Sequence, residues 1–149
     1  MKKFIVLLCL IFASQLSFAA ADIAYLLTAA SKGDLPTVKA MLESGVNADT
    51  KDENGITALM YAARKNRAEV ASLLISKGAQ VNAKDKGGWT PLMYTTKKNH
   101  VATVKVLLEK GADTKIRDES GWSAFGMAST SGYSAIVHII IKNGVDANA

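Results

Sequence analysis

Glycine and aspartate recur at a fixed interval of 33 residues over most of this 149-residue chain. The recurring positions are Asp52, Asp85 and Asp118, then Gly55, Gly88 and Gly121, and then Gly45, Gly78, Gly111 and Gly144. A period of about 20–50 residues is typical of repeat architectures, in which each unit contacts only its neighbours. The interval therefore predicts an elongated stack of similar units with no central sheet.

Three full copies and one shortened leading copy account for residues 22–149. Their approximate bounds are 22–51, 52–84, 85–117 and 118–149. The leading copy lacks the Asp and Gly turn that begins the others. Units of this size cannot bury their own apolar surface, so we expect residues 22–149 to form one domain by stacking.

Each copy is predicted to contain two helices. Hydroxyl residues suited to capping a first helix recur as Thr57, Thr90 and Ser123. Pro91 then takes a first helical position, where its missing N–H costs little, and that helix is expected to run through Lys98. Residues that tolerate left-handed backbone follow as Asn66, Asn99 and Gly132. Apolar triplets in the second helix and the later glycine series complete the unit. In the last repeat, a less regular first helix is expected around Gly126.

Residues 1–21 have the features of a secretory signal peptide. Lys2 and Lys3 precede an apolar stretch, and small residues permit cleavage after Ala19 or Ala21. The alternative is a membrane anchor, but the apolar stretch is shorter than the roughly 20 residues that a spanning helix needs. The sequence therefore predicts a periplasmic or secreted protein that has no membrane segment after cleavage.

Cleavage would also remove Cys9, the single cysteine, and leave no thiol for catalysis or metal binding. The formal net charge would fall from +5 to +3, because two lysines leave with the signal peptide. This charge is mild for a nucleic-acid-binding protein, so no nucleic-acid partner is expected.

The repeated motifs resemble those of the ankyrin-repeat family. "GWTPLMYTT", "LLEKGADTK" and "LLISKGAQVNAK" are similar to its pattern, and the resemblance covers residues 22–149. It departs at Met60, Met93 and Gly126, where the family usually has histidine. The resemblance implies an all-α solenoid of about four stacked helix-turn-helix units with extended turn fingers. It also implies a non-enzymatic module that binds proteins on its concave face.

No catalytic or metal-binding constellation is apparent. His100 and His138 lie at different places in their repeats, and neither has an obvious acidic partner to orient it. The recurring aspartates stand at turns, where their carboxylates are expected to accept local backbone N–H groups. We therefore predict no catalytic residues, no metal and no cofactor.

The candidate partner-binding residues follow from the family frame and from helical spacing. The turn tips hold Ile56, Lys86, Trp89 and Trp122, and the first helices present Tyr61, Tyr94, Arg64, Lys65, Lys97 and Lys98. Aromatic residues beside cations favour a protein interface, here with a partner that carries an acidic patch. The alternative is that the tryptophans only pack on neighbouring turns and the cations form a solvated face.

Other functions remain open at this stage. The chain could be a secreted effector that binds a host protein, or an accessory or protective factor for a periplasmic enzyme. An enzyme is disfavoured because no site is visible. The apolar residues Ile139, Ile140 and Ile141 also predict a C-terminal apolar patch that permits weak self-association.

Overall fold

Eight α-helices make up the regular structure of residues 19–144, which this computed structural model describes. Helix α1 covers residues 19–32 of that range. The others are α2 (Leu35–Glu43), α3 (Ala58–Arg64), α4 (Ala68–Ser76), α5 (Pro91–Lys97), α6 (Val101–Glu109), α7 (Ala124–Ser131) and α8 (Ser134–Lys142). Two isolated β-bridges are the only strand-like pairings in this range. The all-α prediction is confirmed.

The predicted signal peptide lies largely outside the described residues. Residues 19–21, which contain both predicted cleavage points, belong to α1. Among the described helices, none combines the length and the apolar character needed to cross a membrane.

The first helices begin at the predicted hydroxyl caps. The Oγ1 of Thr57 accepts the amide of Met60 at 3.2 Å, and the Oγ of Ser123 accepts the amide of Gly126 at 3.1 Å. Thr90 makes the equivalent bond, and Pro91 is the first residue of α5. Such caps stabilise a helix by about 1 kcal/mol each. The proline therefore begins α5, which ends at Lys97, one residue earlier than predicted.

The turn between the two helices of each unit contains a left-handed residue. Asn66 and Asn99 have φ of 58° and 57°, and Gly33 and Gly132 have φ of 76° and 72°. Few residue types other than glycine and asparagine adopt this backbone readily. The predicted helix stops are therefore observed, and the leading copy shares them.

The helices pack in two layers. The first helices α3, α5 and α7 contact one another in order, and so do the second helices α4, α6 and α8. Leu59 and Leu92 are buried in the first layer, and Leu74 and Leu107 in the second. The core is thus a continuous apolar seam along the stack, as expected for repeats that depend on their neighbours.

The last repeat differs from two expectations. Helix α7 is continuous over Ala124–Ser131 although it contains Gly126, so the expected irregularity is not observed. Of the isoleucine triplet, Ile140 is buried against the core, whereas Ile141 is 41% exposed. The predicted apolar patch is therefore smaller than the sequence implies, and its role in self-association stays a prediction.

Candidate protein-binding surface

Three extended turns, which we call the fingers, cover residues 52–57, 85–90 and 118–123. A single aspartate oxygen organises each finger. The Oδ1 of Asp85 accepts the backbone N–H groups of Gly87 and Trp89, both at 2.9 Å. Asp52 and Asp118 make the same pair of bonds in their own fingers. The aspartates therefore shape the turns, as predicted from the sequence.

Neighbouring fingers are joined through their backbones. The amide of Lys86 donates to the carbonyl of Asn54 at 3.1 Å, and the amide of Glu119 donates to Gly87 at 3.1 Å. At Gly88, φ is 81°, and a Cβ atom would lie 3.2 Å from the Cα of Asp118. This glycine is required both by its backbone angle and by the close approach of the next finger.

The second oxygen of two of these aspartates binds a tyrosine on the following helix. The hydroxyl of Tyr61 donates to Asp52 Oδ2 at 2.8 Å, and that of Tyr94 donates to Asp85 Oδ2 at 2.5 Å. Sequence reasoning placed both tyrosines at the interface but did not foresee these bonds. The nine-residue separation of each pair recurs and could have indicated them. Each bond fixes a finger against a first helix.

Burial and then the hydrogen bond to Asp85 raise the pKa of Tyr94. At Tyr61 the order is reversed, since the hydrogen bond to Asp52 is the larger cause of its raised pKa. Burial would raise the pKa of Asp52, but hydrogen bonds from Tyr61 and two backbone amides, together with the charge of Lys86, lower it. Both tyrosines are therefore neutral donors at neutral pH.

The aromatic side chains of the second and third fingers differ in exposure. Trp89 is half-buried, and its ring lies 5.2 Å from that of Tyr94 at an angle of 56°. Trp122 is 45% exposed, and its ring lies close to Gly126, where a Cβ atom would be 3.3 Å away. Met127 stands at the tyrosine position of this repeat, so Asp118 lacks a tyrosine donor. Trp122 is thus the most accessible aromatic side chain on the fingers.

Four of the predicted cations, Arg64, Lys65, Lys97 and Lys98, lie at the C-terminal ends of α3 and α5. The guanidinium of Arg64 sits over the Tyr61 ring, 5.2 Å from its centroid. Lys65, Lys97 and Lys98 are exposed. Cations at a helix C-terminus also interact favourably with the helix dipole, which accounts for part of this pattern without any partner.

These groups form one surface, which we call the finger-helix face and define as the three fingers with α3, α5 and α7. Its electrostatics cross repeat boundaries, since Lys86 lowers the pKa of Asp52 and Arg64 acts on Tyr94. The remaining predicted residue, Ile56, is half-buried in the first finger. The structure thus brings Trp89 together with Tyr94 and Arg64 together with Tyr61, but the role of the predicted residues in binding stays a prediction.

The histidines have structural positions. His100 Nε2 lies 3.0 Å from the carbonyl oxygen of Arg64 in the preceding repeat. Arg67, the residue one period earlier, makes the equivalent bond to Ser31 at 3.1 Å. His138 is exposed on α8. Within residues 19–144, no group of three or more His, Cys, Asp or Glu residues is arranged to hold a metal ion.

A family model for ankyrin repeats (3 copies) matches residues 26–118 and 85–149. The two matched ranges overlap and together reach from α1 to the end of the chain. No curated protein matches this sequence.

Proposed function

Because the chain belongs to the ankyrin-repeat family, whose repeats indicate a protein–protein interaction module, we propose that its finger-helix face is the concave face that binds a protein partner. The observation that carries this proposal is the tyrosine–aspartate pairing. It fixes Tyr94, whose ring contacts Trp89, and Tyr61, whose ring contacts the guanidinium of Arg64, before any partner arrives.

Fixed aromatic side chains favour binding because little conformational entropy is lost when they become buried. Trp, Tyr and Arg are also the residues most often found to dominate interface energies. The family's modules are generally non-enzymatic, and we propose the same for this chain. The finger-helix face then acts by recognition alone.

The partner is proposed to carry an acidic patch with apolar character. Lys65, Lys97 and Lys98 are exposed beside the aromatic cluster, and Lys86 is exposed on the second finger. The finger aspartates bind backbone amides, whereas Glu53 and Glu119 are exposed carboxylates at the finger tips. The finger-helix face is therefore basic at Lys86 and at the ends of α3 and α5, and this part of it favours acidic partners through steering.

We propose that the protein acts in the periplasm or outside the cell, because residues 1–21 have the composition of a secretory signal peptide. Cell fractionation tests this location. The protein is expected in the washed periplasm or the culture medium, and retention in the cytoplasm would contradict it.

The binding site is tested by capture of a partner from that compartment with the wild-type protein and three variants. Trp89→Ala should weaken binding by about 2 kcal/mol or more, because it removes an aromatic side chain that the partner would bury. Trp89→Phe should retain part of it, and Ile141→Ala, which changes an exposed apolar residue on α8, should bind normally. Unchanged affinity of a folded Trp89→Ala variant would move the site to another face.

A further inference from the structure

The ends of three first helices carry lysines that follow the 33-residue period. The equivalent positions are held by Lys32, Lys65 and Lys98, and all three residues are exposed. Lys32 is the last residue of α1, and the other two directly follow α3 and α5. We call these three residues the lysine row. The fourth repeat has Ser131 at this position, so the row ends at the third repeat.

The spacing of the lysine row follows from helix packing. Packed helices lie roughly 8–10 Å apart, and α3 packs directly on α5. Tyr61 of α3 and Leu27 of α1 line one pocket, so these two helices are also neighbours. The backbones of successive lysines in the row are therefore about 8–10 Å apart along the stack.

A polyproline II segment matches this spacing. It rises about 3.1 Å per residue with three residues per turn, so every third side chain faces the same way at about 9 Å intervals. A β-strand places same-face side chains at about 6.6 Å or about 13 Å, and neither value matches. Acidic residues at every third position of an extended partner segment would thus face successive lysines.

A pocket of about 360 Å³ lies at the upstream end of the lysine row. Leu27, Thr28, Lys32 and Tyr61 are among the residues that line it. Thr28 occupies the position that Tyr61 and Tyr94 hold in the next two repeats. The pocket therefore lies where the leading repeat has a small side chain in place of a tyrosine ring.

We propose that the finger-helix face, continued onto α1, binds an extended acidic segment of the partner. Carboxylates at every third residue pair with the lysine row, and an aromatic side chain enters the pocket beside Thr28. This inference rests on the proposed function and specifies the chemistry of the partner. The aromatic ring takes in the first repeat the place that Tyr61 and Tyr94 take in the second and third.

The test uses fluorescent synthetic peptides of about ten residues and the purified protein. Two spaced probes have glutamate at every third position of a proline-rich peptide. One carries a tyrosine at its N-terminus and the other carries a tyrosine at its C-terminus. A control probe has the same composition with its glutamates contiguous. Of the two spaced probes, the one that binds more tightly is expected to bind at least about threefold more tightly than the control probe in fluorescence anisotropy. Its affinity should decrease as salt is added.

Lys65→Ala removes the middle of the lysine row and should weaken binding of the spaced probe by about 2- to 5-fold, as for exposed ion pairs. Lys77→Ala is the matched control, because Lys77 is an exposed lysine at the end of α4, in the second layer. It should bind both probes as the wild type does.

The pocket is tested by replacing the terminal tyrosine of the spaced probe with alanine. This change should weaken binding about tenfold, since an aromatic side chain is no longer buried. Thr28→Tyr should fill the pocket from within, abolish this preference and leave the salt dependence in place. Circular dichroism verifies the fold, and the two probes on the wild-type protein test the pocket without that variant.

Equal affinity for the spaced and clustered probes, or an unchanged affinity in Lys65→Ala, would overturn this inference. The proposed function fails on a different result, namely when a native partner is captured without dependence on Trp89. The two failures are therefore distinguishable.

Discussion

The tyrosine–aspartate pairing can be tested by Tyr94→Phe, which removes one hydroxyl and retains the ring. A hydrogen bond to a charged group contributes about 1.5–3 kcal/mol. Tyr94 is only partly buried, so water can replace part of the lost bond at Asp85. We therefore expect a loss near the lower end of that range, about 1.5 kcal/mol.

The assay is urea unfolding at neutral pH, followed by far-ultraviolet circular dichroism. Tyr25→Phe is the control, because Tyr25 is 59% exposed on α1 and its hydroxyl should contribute little. A Tyr94→Phe variant whose free energy of unfolding lies within about 0.3 kcal/mol of the control would refute the reasoning, because the pairing would then contribute nothing measurable.

Alkaline pH gives an independent measurement of the same bond. The pKa of Tyr94 is raised in the folded state, chiefly by burial and then by Asp85. The corresponding stabilisation is present below the ordinary tyrosine pKa of 10.0 and is lost as the pH rises above it towards the raised pKa. Wild-type protein should therefore lose more stability than Tyr94→Phe above pH 10, and parallel curves would contradict this cause.

Three further predictions concern the fingers and the cations. Gly88→Ala should destabilise the protein by about 1 kcal/mol more than Gly121→Ala, measured by urea unfolding, because both have positive φ but only Gly88 meets a neighbouring finger; equal losses would contradict this. The pKa of Asp52 is lowered below 3.8, so its stabilisation should persist above that pH and disappear as the pH falls through the lowered pKa. Tyr61→Phe should reduce this acid dependence in unfolding curves, and an unchanged dependence would exclude the tyrosine as a cause. Lys97→Ala with Lys98→Ala should mainly slow association with a captured partner and reduce its salt dependence, as measured by surface binding kinetics; an effect confined to dissociation would argue against steering.

Much of the fold could be predicted because the determinants are local and repeat at one interval. Thr90 caps α5 and Asn99 takes a left-handed backbone through interactions within a few residues. These depend on residue type, so they can be read from the sequence. The regular course of α7 through Gly126 was less predictable, because packing on α5 and α8 outweighs the poor helix propensity of glycine.

The candidate surface was predictable in its membership but not in its internal bonds. Helical spacing placed Tyr94 and Lys98 on one side of α5. It could not show that the Tyr94 hydroxyl reaches Asp85, because that bond depends on the path of the finger. The bond from His100 to Arg64 likewise joins two repeats and depends on how closely they stack.

The repeat also separates residues that support the stack from residues that select a partner. Each full copy has an aspartate that binds two finger amides, and the stacking fingers share one backbone bond, so these features hold the units together. The exposed side chains that differ between copies at equivalent positions do not serve this common purpose. Thr28 in place of tyrosine is exposed and lines a pocket, whereas Met127 in place of tyrosine is buried in the core. Exposed departures such as Thr28 are therefore the positions at which substitutions should change binding with the least effect on folding.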